Sequence, residues 1–153
     1  MMVNAMRTRI VMTLLSVILA ACAGERPKNL GVTNGVLAVC PSSPNCVSSF
    51  ALEAGQRIDP LSFTGDPVVA FARLQQVLRQ RKDATMIEEG GDYLRVELRT
   101  TLFVDDAEFL LDREKKVIQL RSASRLGYSD LGKNRSRIEE IRAELNGRSK
   151  EDL

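Results

Sequence analysis

The chain contains no histidine and no tryptophan, and only two tyrosines and five phenylalanines among its 153 residues. Without histidine there is no Ser-His-Asp triad, no Cys-His dyad and no HExxH zinc site. Any acid–base chemistry falls to carboxylates, Lys, Tyr or Cys, none of which has an unperturbed pKa near neutrality. No cofactor and no metal is called for by any motif. With 27% charged and 44% hydrophobic residues, the composition is that of an ordinary globular protein. The length suits one domain.

What is present at the amino terminus reads as an address. Arg7 and Arg9 precede twelve mostly apolar residues, 10–21. That is short of the roughly 20 needed to span a bilayer and fits the hydrophobic stretch of a secretory signal. Leu19-Ala20-Ala21-Cys22 resembles a bacterial lipobox. The resemblance implies cleavage before Cys22, diacylglycerol on its sulfur and an acyl chain on the new amine. Two or more such chains hold firmly where one binds marginally. An uncleaved signal or a short core helix is the alternative. Ala23 follows the cysteine where inner-membrane lipoproteins carry Asp, which favours the outer membrane, facing the periplasm. Residues 1–21 carry two of the 22 basic residues and none of the 20 acidic ones. The remainder is neutral and has no global field to attract nucleic acid.

Of the three cysteines, lipid consumes Cys22 and leaves the pair Cys40 and Cys46. In an oxidising periplasm a disulfide is the default; a redox-active pair and free thiols are the alternatives. The ring Cys40-Pro-Ser-Ser-Pro-Asn-Cys46 has five intervening residues, not the two of oxidoreductases. Its prolines restrict the backbone, and loop entropy gives closure roughly 2 kcal/mol of stabilisation.

Residues 23–35 are rich in turn formers. The expected divisions are therefore a signal peptide (1–21), a lipid-anchored tether (22–35), one domain (36–147) and a polar tail (148–153). Asp66-Pro67 starts a helix as N-cap and first-turn proline, with Val68, Phe71, Leu74, Val77 and Leu78 on one face to about Gln80. Strands are expected at 85–87, at 93–99 with Leu94, Val96 and Leu98 inward, at 103–111, and at 117–124. A closing helix runs from about Asp130 or Leu131 to Asn146, with Leu131, Ile138, Ile141 and Leu145 as its stripe and Arg135 paired with Glu139. The expected fold class is α+β: a four-stranded antiparallel meander covered by two helices, order α-β-β-β-β-α, with an irregular disulfide-looped N-terminal segment.

Charge is uneven along the chain. Residues 100–114 hold Asp105, Asp106, Glu108, Asp112 and Glu114 against Arg113, whereas residues 121–150 hold eight basic residues against four acidic ones. Asp105 and Asp106 are adjacent, so on a strand they point to opposite faces and do not form a facing pair. Asp106 and Glu108 share a face and are expected to bridge Arg121 or Arg125 rather than bind metal. Around the closing helix, Arg125, Lys133 and Arg135 flank an N-terminus that could receive an anion. Ser129 or Asp130 at the cap would occupy the same N–H groups instead. Ser48 and Ser49 have no neighbouring base in sequence and read as loop hydroxyls.

Taken together, three segments resemble the domain-of-unknown-function 1499 family of small envelope or membrane-anchored proteins. They are residues 30–49 (Leu30-Gly31-Val32, Gly35, Leu37 and Cys40-Pro-Ser-Ser-Pro-Asn-Cys-Val-Ser-Ser49), Phe103-Val-Asp-Asp-Ala-Glu-Phe109, and Arg121-Ser-Ala-Ser-Arg-Leu-Gly-Tyr-Ser-Asp-Leu-Gly-Lys-Asn-Arg135. Ala107 stands where a larger valine is expected. The resemblance implies a single domain but no established activity. Its signature residues form the candidate polar network: Ser42, Asn45, Ser48, Asp105, Asp106, Glu108, Arg121, Ser124, Arg125, Asp130, Asn134 and Arg135, to which Ser129 is added as a cap. The first functional expectation is a non-catalytic periplasmic module that binds an envelope protein or small anionic ligand, or supports the envelope. The alternatives are an envelope enzyme using Asp105/Asp106 and Arg121/Arg125, and a small lipid or ligand carrier.

Overall fold

The structure, a computed structural model, describes residues 24–147. The expected signal peptide, Cys22 and the tail at 148–153 lie outside those residues. In chain order the elements are β1 (Val32–Thr33), β2 (Val36–Leu37), β3 (Cys46–Ser48), β4 (Leu61–Ser62), α1 (Pro67–Gln80), β5 (Ala84–Gly90), β6 (Tyr93–Arg99), β7 (Val104–Asp112), β8 (Val117–Ser124) and α2 (Lys133–Leu145). Among them no helix is long and apolar enough to cross a membrane.

The expected single four-stranded meander is corrected. There are two sheets: a hairpin of β1 and β2, and a six-stranded sheet ordered β3-β8-β7-β6-β5 with β4 also on β8. β3 lies opposite residues 121–123 of β8 and β4 opposite residues 117–118, so the two share its outer edge. The four added strands have two or three residues each. Segments that short carry no readable period-2 pattern, and the backbone groups of a partner define them.

Alternation then sorts the long strands. Leu94, Val96 and Leu98 of β6 align with Phe109, Ala107 and Asp105 of β7, and these with Leu120, Ser122 and Ser124 of β8. This face packs against Phe71, Leu74 and Leu78 of α1 and Ile138 and Ile141 of α2 in one core. Burying each such side chain contributes about 1.5–3 kcal/mol. α1 begins where the Asp66 carboxylate accepts the N–H groups of Val68 (2.8 Å) and Val69 (3.1 Å) ahead of Pro67. Val68 itself stays exposed, and burial falls on the later turns.

The closing helix differs from expectation. Leu131 precedes it, at φ 53°, and is 95% exposed. Ile138 and Ile141 face inward as expected, Leu145 packs partly buried against the core, and Asn134 and Arg137 join the stripe as two polar residues in helical phase with them. Arg135 does not pair with Glu139. It donates to the carbonyls of Gly55 (3.1 Å) and Arg57 (2.7 Å), while Glu139 accepts from Arg142 at 2.9 Å.

Cys40 and Cys46 form a disulfide, with Cα atoms 5.7 Å apart, at the start of β3. Replacing both by serine is expected to lower unfolding stability by about 2 kcal/mol, read as a lower urea midpoint. A midpoint unchanged from the parent would show that the ring does not restrain the unfolded chain.

Candidate functional site

The charged residues that stand out in the sequence end up inside the protein, in two networks on opposite faces of β7. On the face away from the helices, Glu97 of β6, Asp106 and Glu108 of β7 and Arg121 of β8 are all buried. Register sets them in rows: Glu97 beside Asp106, and Arg95, Glu108, Arg121 and Ser48 across four neighbouring strands. Arg125, just past β8, clamps Asp106 with Nε at 2.7 Å and Nη2 at 2.8 Å, and reaches Glu97 at 2.5 Å. Arg121 pairs with Glu108 at 3.2 Å.

The N-terminal segment closes over this network. Arg26 donates to Glu97, and the Gly31 backbone N–H donates to Glu108 at 2.6 Å. Tyr93 donates to the same Glu108 oxygen at 2.8 Å. Thus a stretch expected as tether supplies contacts to the buried carboxylates.

On the helix face, Asp105 sits among apolar neighbours and is met by Arg137 of α2, which also approaches Asp83 at 3.2 Å. Ser124 donates to Asp105 at 2.5 Å. Asn134 is the hub beside them: its amide nitrogen lies within reach of the Asn45 carbonyl, Ser124 Oγ and Asp130, and its oxygen accepts from Ser122. Asn45 in turn donates to the Gly127 carbonyl at 2.8 Å. Asp130 accepts the N–H of Gly132 (3.0 Å) and of Asn134 (2.7 Å), so a carboxylate of the chain itself fills the α2 N-terminus.

The candidate residues therefore divide. Asp106, Glu108, Arg121 and Arg125 meet on one face, while Asn45, Asp105, Ser124, Asp130 and Asn134 meet on the other. Ser48 and Ser49 are buried beside β8, where Ser49 Oγ accepts from Leu120 N–H at 2.9 Å and Ser48 Oγ accepts from Phe50 N–H at 3.2 Å. Ser42 and Ser129 are exposed, and Arg135 holds a loop. Arg137, Glu97, Tyr93 and Arg26 join these networks beyond the candidate residues. Arg137 had a signal, its i+3 spacing from Asn134 on the stripe of Ile138 and Ile141, and Glu97 lay in phase with Arg95 on β6. Arg26 had none. Among the described residues no three His, Cys, Asp or Glu side chains converge as a metal-ligand set.

Burial alone would raise the Glu97 pKa, but hydrogen bonds from Arg26 and Arg125 outweigh it and hold the carboxyl at about 2, against an ordinary 4.5. A carboxylate held so low is a poor proton donor or acceptor near neutrality. Burial and the adjacent Glu108 charge push the Tyr93 phenol up, so it stays a donor.

A cleft of about 480 Å³ lies elsewhere, between β4, the start of α1 and the end of α2. Leu61, Phe63, Val69, Ile118 and Leu145 line its apolar part, while Ser62, Thr64, Asp66, Asn146 and Arg73 supply polar wall. Arg73 is exposed, and among the described residues it makes no ion pair.

An α+β domain with charge locked into its sheet and a cleft of mixed lining at one end is the class that fold and site define. The chain matches the family described as a protein of unknown function (DUF1499) over residues 36–145, and it belongs to that family. No curated protein and no solved structure matches it.

Two outcomes test the networks. Arg137→Met leaves Asp105 buried and uncompensated, and is expected to cost about 3–5 kcal/mol in urea unfolding. Arg137→Met combined with Asp105→Leu is expected to recover most of that loss. Glu97 is depressed in the folded state, so its stabilisation is full above about pH 4.5 and is lost as pH falls towards about 2. The stability difference between the parent and Glu97→Gln should shrink across that window; a difference constant with pH would remove Glu97 from the acid response.

Proposed function

We propose that the protein is a lipid-anchored envelope module, held through Cys22, that carries or holds a small amphiphilic anion in the cleft between β4, α1 and α2. The observation that carries this reading is the cleft itself. The apolar part of its wall suits a hydrocarbon chain and the guanidinium of Arg73 suits a carboxylate or phosphate, the Asp66 carboxylate in the same lining being engaged by the N–H groups of Val68 and Val69. Its volume falls within the roughly 300–1,000 Å³ usual for small-molecule sites.

The enzyme reading draws on the Asp105/Asp106 and Arg121/Arg125 cluster. Asp105 and Asp106 serve opposite faces, and Asp106 and Glu108 are buried and ion-paired. Substrate access would require Arg26 and Gly31 to leave the sheet. The cleft needs no such rearrangement, and it favours the carrier.

The domain, exported to the periplasm behind a cleavable leader without the lipobox, is examined by native mass spectrometry with and without decanoate. The expected result is a ligand mass, or a decanoate adduct, that is lost on denaturation. Arg73→Glu is expected to weaken decanoate binding roughly tenfold or more, the loss of one charge-assisted contact. A bare protein that takes no decanoate would sink the reading.

A further inference from the structure

The two ends of the six-stranded sheet differ in chemistry. At one end lie the β5–β6 turn, Gly91-Asp92, and the β7–β8 turn, Arg113-Glu114-Lys115-Lys116, tied together by the ion pair of Asp92 with Arg113. At the other end lie the β6–β7 turn, residues 100–103, and the loop from β8 to α2, residues 125–132. The Arg125 N–H donates to the Val104 carbonyl at 3.1 Å and brings the two together.

This second end is apolar and open. Leu102, Phe103 and Leu126 are exposed, Tyr128 is 77% exposed and Leu131 is 95% exposed. Within residues 100–103 and 126–132 the only charged side chain is Asp130, and it is turned onto the N–H groups of Gly132 and Asn134. Leu131 sits at φ 53°, a conformation that L residues seldom adopt. The loop thus holds a leucine in solvent at a conformational cost, a pattern found where strain serves function.

The described chain also begins here. A β-carbon on Gly24 would lie 2.9 Å from both Arg125 Cβ and Leu126 Cγ, so Gly24 packs directly on the loop. Cys22 is two residues upstream.

We infer that this end is a membrane-contact surface, with Leu102, Phe103, Leu126, Tyr128 and Leu131 seated in the interfacial layer of the bilayer that holds the Cys22 lipid. The inference rests on the lipidation reading and deepens it. A lipid at residue 22 brings the bilayer to the end where residue 24 packs, and there is little chain in between to hold the domain away. Aromatic and aliphatic side chains flanked by the exposed cations Arg99 and Lys133 suit the headgroup–acyl boundary, which interfacial apolar faces enter to about 5–10 Å. The ligand cleft then lies at the far end, where the Phe63 N–H donates to the Lys116 carbonyl at 3.2 Å.

Because the chain lacks tryptophan, one substitution makes a reporter. Full-length Tyr128→Trp and Lys115→Trp are purified from membranes, their mass at Cys22 is measured, and each is reconstituted into vesicles of phosphatidylethanolamine and phosphatidylglycerol, with and without brominated acyl chains. Tyr128→Trp is expected to emit at shorter wavelength in vesicles and to lose emission to the brominated lipid; Lys115→Trp is expected to do neither. Acylated protein that floats with vesicles while both reporters stay equally unquenched overturns the contact surface and leaves lipidation standing. An unacylated Cys22 without flotation overturns both. A blue shift of Tyr128→Trp in detergent that grows with protein concentration assigns the patch to a second copy, and overturns the membrane assignment.

Discussion

Charge neutralisation on both sides of β7 is the constraint from which the other contacts follow. Strand geometry sends Asp105 into the helix layer and Asp106 and Glu108 to the opposite face, and all three are buried. A buried carboxylate without a partner costs several kcal/mol, so each layer must deliver a cation or donor to this one strand. α2 delivers Arg137, β8 and its continuation deliver Arg121 and Arg125, and the N-terminal segment delivers the Gly31 N–H. The position of three otherwise separate pieces of chain is tied to the alternation of one strand.

Such pairs are weak evidence for net stability, because desolvation offsets most of the attraction. Their consequence is specificity. A one-residue slip of β7 against β8 would place Asp105 among arginines and leave Asp106 facing leucines, so the network admits one register. Asn134 does the same for α2: with Ser122, Ser124, Asn45 and Asp130 all in reach, the helix has one rotation that satisfies them. Polar residues scattered over three stretches of sequence thereby join two structural networks, one on each face of β7.

That arrangement separates the roles of the two ends. The charged network lies in the middle of the sheet, sealed between the helices and the N-terminal segment. Apolar loops and the start of the described chain lie at one end, and the cleft with Arg73 on its wall at the other. Under the proposed anchoring at Cys22, a protein held at the first end would present the second to the surrounding compartment.

Local chemistry was legible in the sequence. Asp66-Pro67 starts α1, Gly91-Asp92 turns the chain, Leu94, Val96 and Leu98 alternate into the core, and Cys40 and Cys46 close a ring, because each depends on neighbours within a few residues. The pairing of Asp106 with Arg125 and of Glu108 with Arg121 was legible in outline, through shared strand phase. What only the tertiary structure decided is everything fixed by a distant partner. β3 and β4 exist because the open edge of β8 offers backbone groups, and the hairpin of β1 and β2 has no pattern of its own. Arg137 shares the helical phase of Ile138 and Ile141, but only the packing of α2 brings it onto Asp105, 32 residues away in sequence. Arg26 and Gly31 read as tether until the sheet meets them. The cleft has no sequence signature, since its walls come from four elements. Periodicity reports which face of an element is apolar. It does not report which charge lies across the gap, and in this protein the long-range pairing of charge determines the arrangement.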